Sequence, residues 1–134
     1  TLIRYALGDL AENTVCGCGQ IALPAITAIA GKMRGLLRRA DGSQMLFTSL
    51  SSHFRDSPEI RQFQVVQEQI HQFTVRAVPR GTPDLAPFEA RIRARFREEF
   101  GPETRLAFTY MDSIPRSPGG KYFAAICTIP EAAP

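Results

Sequence analysis

Lys121 follows two consecutive glycines in the run Pro115-Arg116-Ser117-Pro118-Gly119-Gly120-Lys121. Residues without a Cβ let the backbone come close to a ligand, so this order presents an amine at a loop tip. An ammonium is a compact charge that suits a carboxylate or phosphate oxygen. The same run equally describes a solvated surface loop, since short motifs also arise by chance. Asp9 carries an acceptor-only group able to hold two donors, although Gly8-Asp9 is also ordinary strand-end turn chemistry. Gly31-Lys32-Met33-Arg34-Gly35 brackets two cations with glycines and can bend; a plain basic loop is the other reading. Cys16-Gly17-Cys18 supplies at most two thiolates, against the four ligands of a closed zinc site, and Cys127 is far away in the chain.

Other polar residues offer less. His53 and His71 have no partner at ligand spacing and read as surface or helix-flank residues. Arg91, Arg93, Arg95 and Arg97 could each contact a phosphate. On a helix, however, alternate residues splay around the cylinder, so the four form a solvated face and not one patch.

The bulk composition excludes several classes. With 134 residues, 44% hydrophobic and 22% charged, the chain is an ordinary globular one with room for one modest core and the tail of a neighbour. A net charge of +3 is far from a nucleic-acid footprint. No apolar stretch is long enough to span a bilayer, and the opening Thr1-Leu2-Ile3-Arg4 has neither an initiator Met nor a signal peptide. This beginning suggests a sequence cut from something longer. Three cysteines cannot build a disulfide framework, so a reducing cytoplasm is expected.

The elements that would position these residues follow from periodicity. Leu2 to Leu10 reads as a short strand ending in a turn at Gly8-Asp9, and Val15 to Gly19 as a tight turn. Ile21 to Ile29, with Pro24 inside, reads as edge strand or extended chain. A domain boundary is placed near residue 33. Beyond it, Asp41-Gly42 predicts a hairpin between Leu36–Arg39 and Gln44–Leu46, and Phe47, Leu50 and Phe54 predict a short helix stopped at Asp56-Ser57-Pro58. Phe63 and Val65, then Phe73, Val75 and Ala77, alternate as two antiparallel strands. Leu85, Phe88, Ile92, Phe96 and Phe100 recur at helical spacing as a core stripe, with Thr82 or Asp84 as cap and Gly101-Pro102 as stop. Arg105 to Met111 alternates as a strand, Pro115 to Gly120 is a loop, and Tyr122 to Ile129 is extended. The expected fold class is α+β, a small sheet with helices packed on one face.

These motifs, taken in order, resemble the late signatures of the adenylate-forming superfamily. Pro115 to Lys121 is similar to its final Pro-Arg-Thr-x-Ser-Gly-Lys segment, which implies that Lys121 is the adenylation lysine contacting the acyl carboxylate and phosphate. Ile3 to Leu10 resembles its Tyr-x-Thr-Gly-Asp segment, which implies that Asp9 holds the ribose hydroxyls; Leu7 stands where the family commonly has Thr. Gly31 to Gly35 is similar to the hinge signature Gly-Arg-x-Asp-Asp. On that match Lys32 takes the nucleotide-touching place without a planar fork, and Arg34 takes the pivot. Cys16-Gly17-Cys18-Gly19 with Leu23-Pro24, and the strand from Gln62 to Gln67, resemble the phenylacetate-CoA ligase-like branch, some members of which hold a structural zinc in this region; Cys16 and Cys18 are weak candidates for that role.

The resemblance implies that residues 1–33 end a large adenylating domain and that residues 34–134 form its mobile lid. The implied parent enzyme uses ATP, Mg2+ and CoA to turn a small carboxylic acid, aromatic in this branch, into an acyl-adenylate and then an acyl-CoA. A carrier-protein thiol is an alternative acceptor. The lid packs on its own amino-terminal domain, and no nucleic-acid or membrane partner is implied. Taken alone, this stretch is expected to be inactive. A stand-alone α+β ligand-binding module and a scaffold without ligase activity are the rival readings.

Overall fold

In a computed structural model, residues 9–20, 23–32 and 35–130 are described, with the backbone alone for 9, 10 and 30–32. The chain divides into two compact units, Thr1–Arg34 and Gly35–Pro134.

The first unit contains a two-stranded antiparallel sheet, β1 (Asp9–Val15) against β2 (Pro24–Lys32). Pro24 is the first residue of its strand, where a missing N–H costs no interior ladder bond. Register shifts between Leu10 and Ala11 and between Glu12 and Asn13 interrupt the ladder. Val15, Leu23, Ile26 and Ile29 are exposed large hydrophobics. The turn expected at Gly8-Asp9 is corrected at its second residue, because Asp9 opens β1 and pairs with Lys32. The strand expected over Leu2 to Gly8 lies outside the described residues.

The second unit begins with the hairpin β3 (Leu36–Arg38) and β4 (Gln44–Leu46), followed by α1 (Thr48–Arg55). Between the hairpin strands Gly42 takes φ 83°, and Asp41 Oδ1 accepts the Ser43 N–H at 2.8 Å. The Ser43 hydroxyl first, and then this N–H bond, hold the exposed Asp41 carboxyl below the usual aspartate range. Then come β5 (Ile60–Gln69), β6 (Gln72–Pro79), α2 (Ala86–Phe100), β7 (Arg105–Tyr110) and β8 (Ala125–Cys127). The main sheet has the order β7-β6-β5-β8, antiparallel at its centre and parallel at both outer pairs.

Both helices lie on one face, as phenylalanine periodicity requires. Phe54 of α1 stacks on Phe63 at 4.7 Å and meets Phe88 and Phe96 of α2 edge-on. Phe73 contacts Phe96 and Phe100, and Phe88 contacts Phe108. Tilted and edge-on ring pairs add to the area term of burial, and removing the Phe54 ring would cost roughly 3–5 kcal/mol. Leu85, not Thr82 or Asp84, is the α2 N-cap, while Asp84 Oδ1 accepts the Ala86 N–H at 3.1 Å. The carboxylate thus serves the helix start from one residue further out than expected. Gly101 ends α2 at φ 96°, ψ 164°, a conformation open essentially to glycine alone.

One buried polar group ties the hairpin to the sheet. The Gln67 side chain is fully buried, its Oε1 accepting the Arg38 N–H at 2.8 Å and its Nε2 donating to the Arg38 carbonyl at 2.7 Å. The amide behaves as one more peptide unit beside β3. At the next residue the Arg39 guanidinium donates to the Glu99 carbonyl and carboxylate near the end of α2. Residues 38 and 39 are thereby fixed to the body of the second unit.

Candidate functional site

Lys121 is exposed, and the loop before it is closed on itself. The Ser117 N–H donates to the Lys121 carbonyl at 2.9 Å, and the Gly120 N–H donates to the Ser117 carbonyl at 2.7 Å. The Ser117 hydroxyl accepts the Lys121 N–H at 3.1 Å, and Arg116 Nη1 reaches the Gly120 carbonyl at 3.2 Å. Closing so short a loop needs a left-handed residue, and Gly120 supplies it at φ 73°. The backbone at Lys121 is therefore held, while its four-carbon stem and ammonium remain free to reach outward.

The chain on either side is anchored to β5. Arg61 donates to the Asp112 carbonyl at 2.8 Å, and the buried Gln64 amide donates to the Phe123 carbonyl at 2.9 Å. The Val65 N–H donates to the Ala124 carbonyl, also at 2.8 Å, as β8 begins. Partial burial pushes the Tyr122 hydroxyl above the usual phenol range, against a hydrogen bond from the Phe63 backbone. Ser117, Arg61 and Gln64 were not singled out in the sequence. Ser117 lies inside the signature and was available there, but Arg61 and Gln64 matter only through strand pairing across about fifty residues or more.

In the first unit, Asp9 and Lys32 are register partners on the antiparallel ladder, and Leu10 pairs with Gly31. Arg34 and Leu7 lie outside the described residues. Cys16 and Cys18 sit in the turn after β1 with their sulfurs 2.8 Å apart. Among the described residues no group of three or more His, Cys, Asp or Glu is assembled to hold a metal.

The α2 arginines are not a loose solvated row. Arg91 donates to Ser57 Oγ and pairs with Glu59, and Arg93 pairs with Glu89, donates to the Leu106 carbonyl and lies over Phe108. Arg95 pairs with Glu98 and Glu99. Arg91 and Arg93 clamp α2 to the rest of the unit, and Arg95 braces the end of the helix. Arg97, His71, Glu103 and Arg105 line an open cleft by the β5–β6 turn that does not include Lys121. The His71 imidazole stands 3.9 Å from the exposed Glu103 carboxylate. Among the described residues no helix is long and apolar enough to cross a membrane.

The model of the CapK C-terminal domain family matches residues 37–127. No curated protein sequence matches the chain. Among solved structures, fatty acyl-adenylate ligases from E. coli and L. pneumophila are similar over 86% of this chain at 18% identity, with a TM-score of 0.55. A 2-hydroxyisobutyryl-CoA ligase in complex with 2-HIB-AMP and CoA is similar over 89% at 18% identity and a TM-score of 0.51. Acetoacetyl-CoA synthetase from Streptomyces lividans is similar over 72% at 19% identity and a TM-score of 0.52. At these identities the likeness carries the fold. The chain spans 15%, 20% and 27% of the synthetase, the acyl-adenylate ligases and the 2-hydroxyisobutyryl ligase respectively.

Proposed function

The chain belongs to the CapK C-terminal domain family, and from that premise we propose that it is the carboxy-terminal portion of an AMP-forming acid–thiol ligase. One observation carries the reading. Lys121 is exposed on a loop whose backbone is held by Ser117, so the root of its side chain stands at a defined place.

In the adenylation step a carboxylate oxygen attacks the α-phosphorus of ATP, pyrophosphate leaves, and negative charge gathers on the acyl and phosphate oxygens. The Lys121 ammonium offsets that charge while the two anionic partners approach. Asp9 accepts hydrogen bonds from the ribose hydroxyls, and Lys32 and Arg34 lie along the nucleotide and the pivot. A thiol, of CoA or of a carrier protein, then attacks the acyl carbon and AMP departs. The lid turns between the two steps about the segment at residues 33–35 and withdraws Lys121. In this reading Mg2+ enters with ATP in the full-length enzyme, and this chain contributes Lys121, Asp9, Lys32 and Arg34. The proposed acid is an aryl acid such as phenylacetate, the proposed setting is the cytoplasm, and the proposed neighbour is the enzyme's own amino-terminal domain. The chain alone is inactive in this reading.

Pyrophosphate release by the full-length enzyme, assayed across aryl and alkyl acids, tests the assignment. ATP-dependent release with an aryl acid is expected. No release with any acid would leave the chain a scaffold.

A further inference from the structure

Gln64 is a buried amide set between a cation and the chain that leaves the Lys121 loop. It faces Arg76 directly across the β5–β6 ladder, and alternation puts both on the sheet face opposite Phe63, Val65 and Ala77. Gln64 is only 4% exposed there. Its Oε1 accepts from Arg76 Nη1 at 3.0 Å, and its Nε2 donates to the Phe123 carbonyl at 2.9 Å. An arginine can only donate and a peptide carbonyl can only accept, so one orientation of the amide satisfies both neighbours and the reverse satisfies neither. Arg76 therefore aims the amide, and the amide holds the backbone two residues beyond Lys121.

The Ser117 clamp fixes the loop within itself and not its place over the sheet, because its bonds run between residues 116 and 121. The place is set by ties to β5: Arg61 at the Asp112 carbonyl, Gln64 at Phe123, and the Val65 N–H at Ala124. Of these, the tie from Gln64 is the nearest to Lys121 along the chain. Building on the adenylation role proposed for Lys121, we infer that Gln64 is a positioning residue for that step. It acts through the Phe123 carbonyl and not by contact with substrate, setting where over the sheet the ammonium is presented. Adenylation needs that charge beside the carboxylate and phosphate oxygens, and a displacement of about 1 Å is enough to slow such a step. Transfer of the acyl group to the thiol, with Lys121 withdrawn, has no such need.

The test uses the full-length enzyme carrying Gln64→Glu, which keeps an acceptor for Arg76 and turns the donor facing Phe123 into an acceptor. Gln64→Met, of similar length and without the amide, is the second variant should the buried carboxylate prevent folding. Adenylate formation is expected to slow about tenfold, as one bond is lost and a repulsion replaces it. The apparent affinity for ATP and the rate of thioester formation from preformed acyl-adenylate should stay at the parent values. Amide hydrogen exchange over residues 115–122 should quicken, since the loop opens more readily. In a Lys121→Ala background the same substitution should cost adenylation nothing more, because its effect passes through the lysine. Exchange at the parent level in both variants would overturn the proposal, and so would an equal loss of adenylation with and without Lys121. Adenylation at the parent rate in Lys121→Ala alone would be the separate failure of the ligase reading, and the proposal would fall with it; exchange would still report whether Gln64 holds the loop.

Discussion

Ser117 and Lys121 are joined by two hydrogen bonds, one in each direction: the Ser117 N–H donates to the Lys121 carbonyl, and the Lys121 N–H donates to the Ser117 hydroxyl. The serine side chain is thus the part of the clamp that mutation can remove without touching the lysine. Ser117→Ala should slow adenylate formation about fivefold, the equivalent of roughly 1 kcal/mol for one hydrogen bond, and leave thioester formation from preformed acyl-adenylate unchanged. Single-turnover kinetics of the two half-reactions in the full-length enzyme separate these effects. Equal slowing of both would mean that the clamp does not serve the lysine.

Gly119 and Gly120 are adjacent and both lie in open space, but only Gly120 has a positive φ. Gly120→Ala therefore strains the loop by about 1–2 kcal/mol, while Gly119→Ala does not. Adenylation should fall with the first substitution and hold with the second. A matched response of the two variants would show that backbone conformation at 120 is immaterial.

Gln67→Leu keeps the volume and removes the amide that satisfies both backbone groups of Arg38. Each group left unpaired costs roughly 1–3 kcal/mol, so the midpoint of urea unfolding should fall clearly. An unchanged midpoint would mean that water or a shifted hairpin replaces the amide. The same residue shows where sequence reading stops. Alternation singled out Phe63 and Val65 and said nothing of Gln67, whose side chain is fully buried. Its partner Arg38 is twenty-nine residues away and meets it only when the hairpin folds back on the main sheet, with β3 along β8.

The helices, the hairpin at Asp41-Gly42 and the strands β5 to β7 were legible because each rests on local period or turn chemistry. The α2 stripe from Phe88 to Phe100 lies buried as its spacing requires. What the sequence did not reveal is long-range. Residues Ala125–Cys127 pair parallel to β5, and Arg91 reaches back to Ser57 and Glu59. The α2 cap missed by one residue because Pro87 fixes the first turn around Leu85, leaving the aspartate to bond from outside. In the candidate site, Lys121 and its loop were readable from glycines and charge, and the anchors on β5 were not.

Tyr110 gives a pH test. Burial first, and then the hydrogen bond to Glu89 at 2.8 Å, push its hydroxyl well above the ordinary phenol value of 10.0. A folded-state pKa raised above the unfolded one adds stability that is whole below the unfolded value and is lost as pH climbs toward the folded one. Unfolding free energy should therefore decline above about pH 10 with a steeper slope in the parent than in Tyr110→Phe. Phenolate absorbance should show that this variant lacks a late-titrating tyrosine. Loss of a phenol that titrates normally would contradict the burial of Tyr110.

The most direct measurement is on Lys121→Ala in the full-length enzyme, with each half-reaction followed by itself. Adenylate formation should fall by orders of magnitude, because an ammonium that offsets charge in the transition state is gone, while transfer of the acyl group from preformed acyl-adenylate to the thiol should stay close to the parent rate. Equal loss in both steps, or adenylation at the parent rate, would contradict the role given to this lysine.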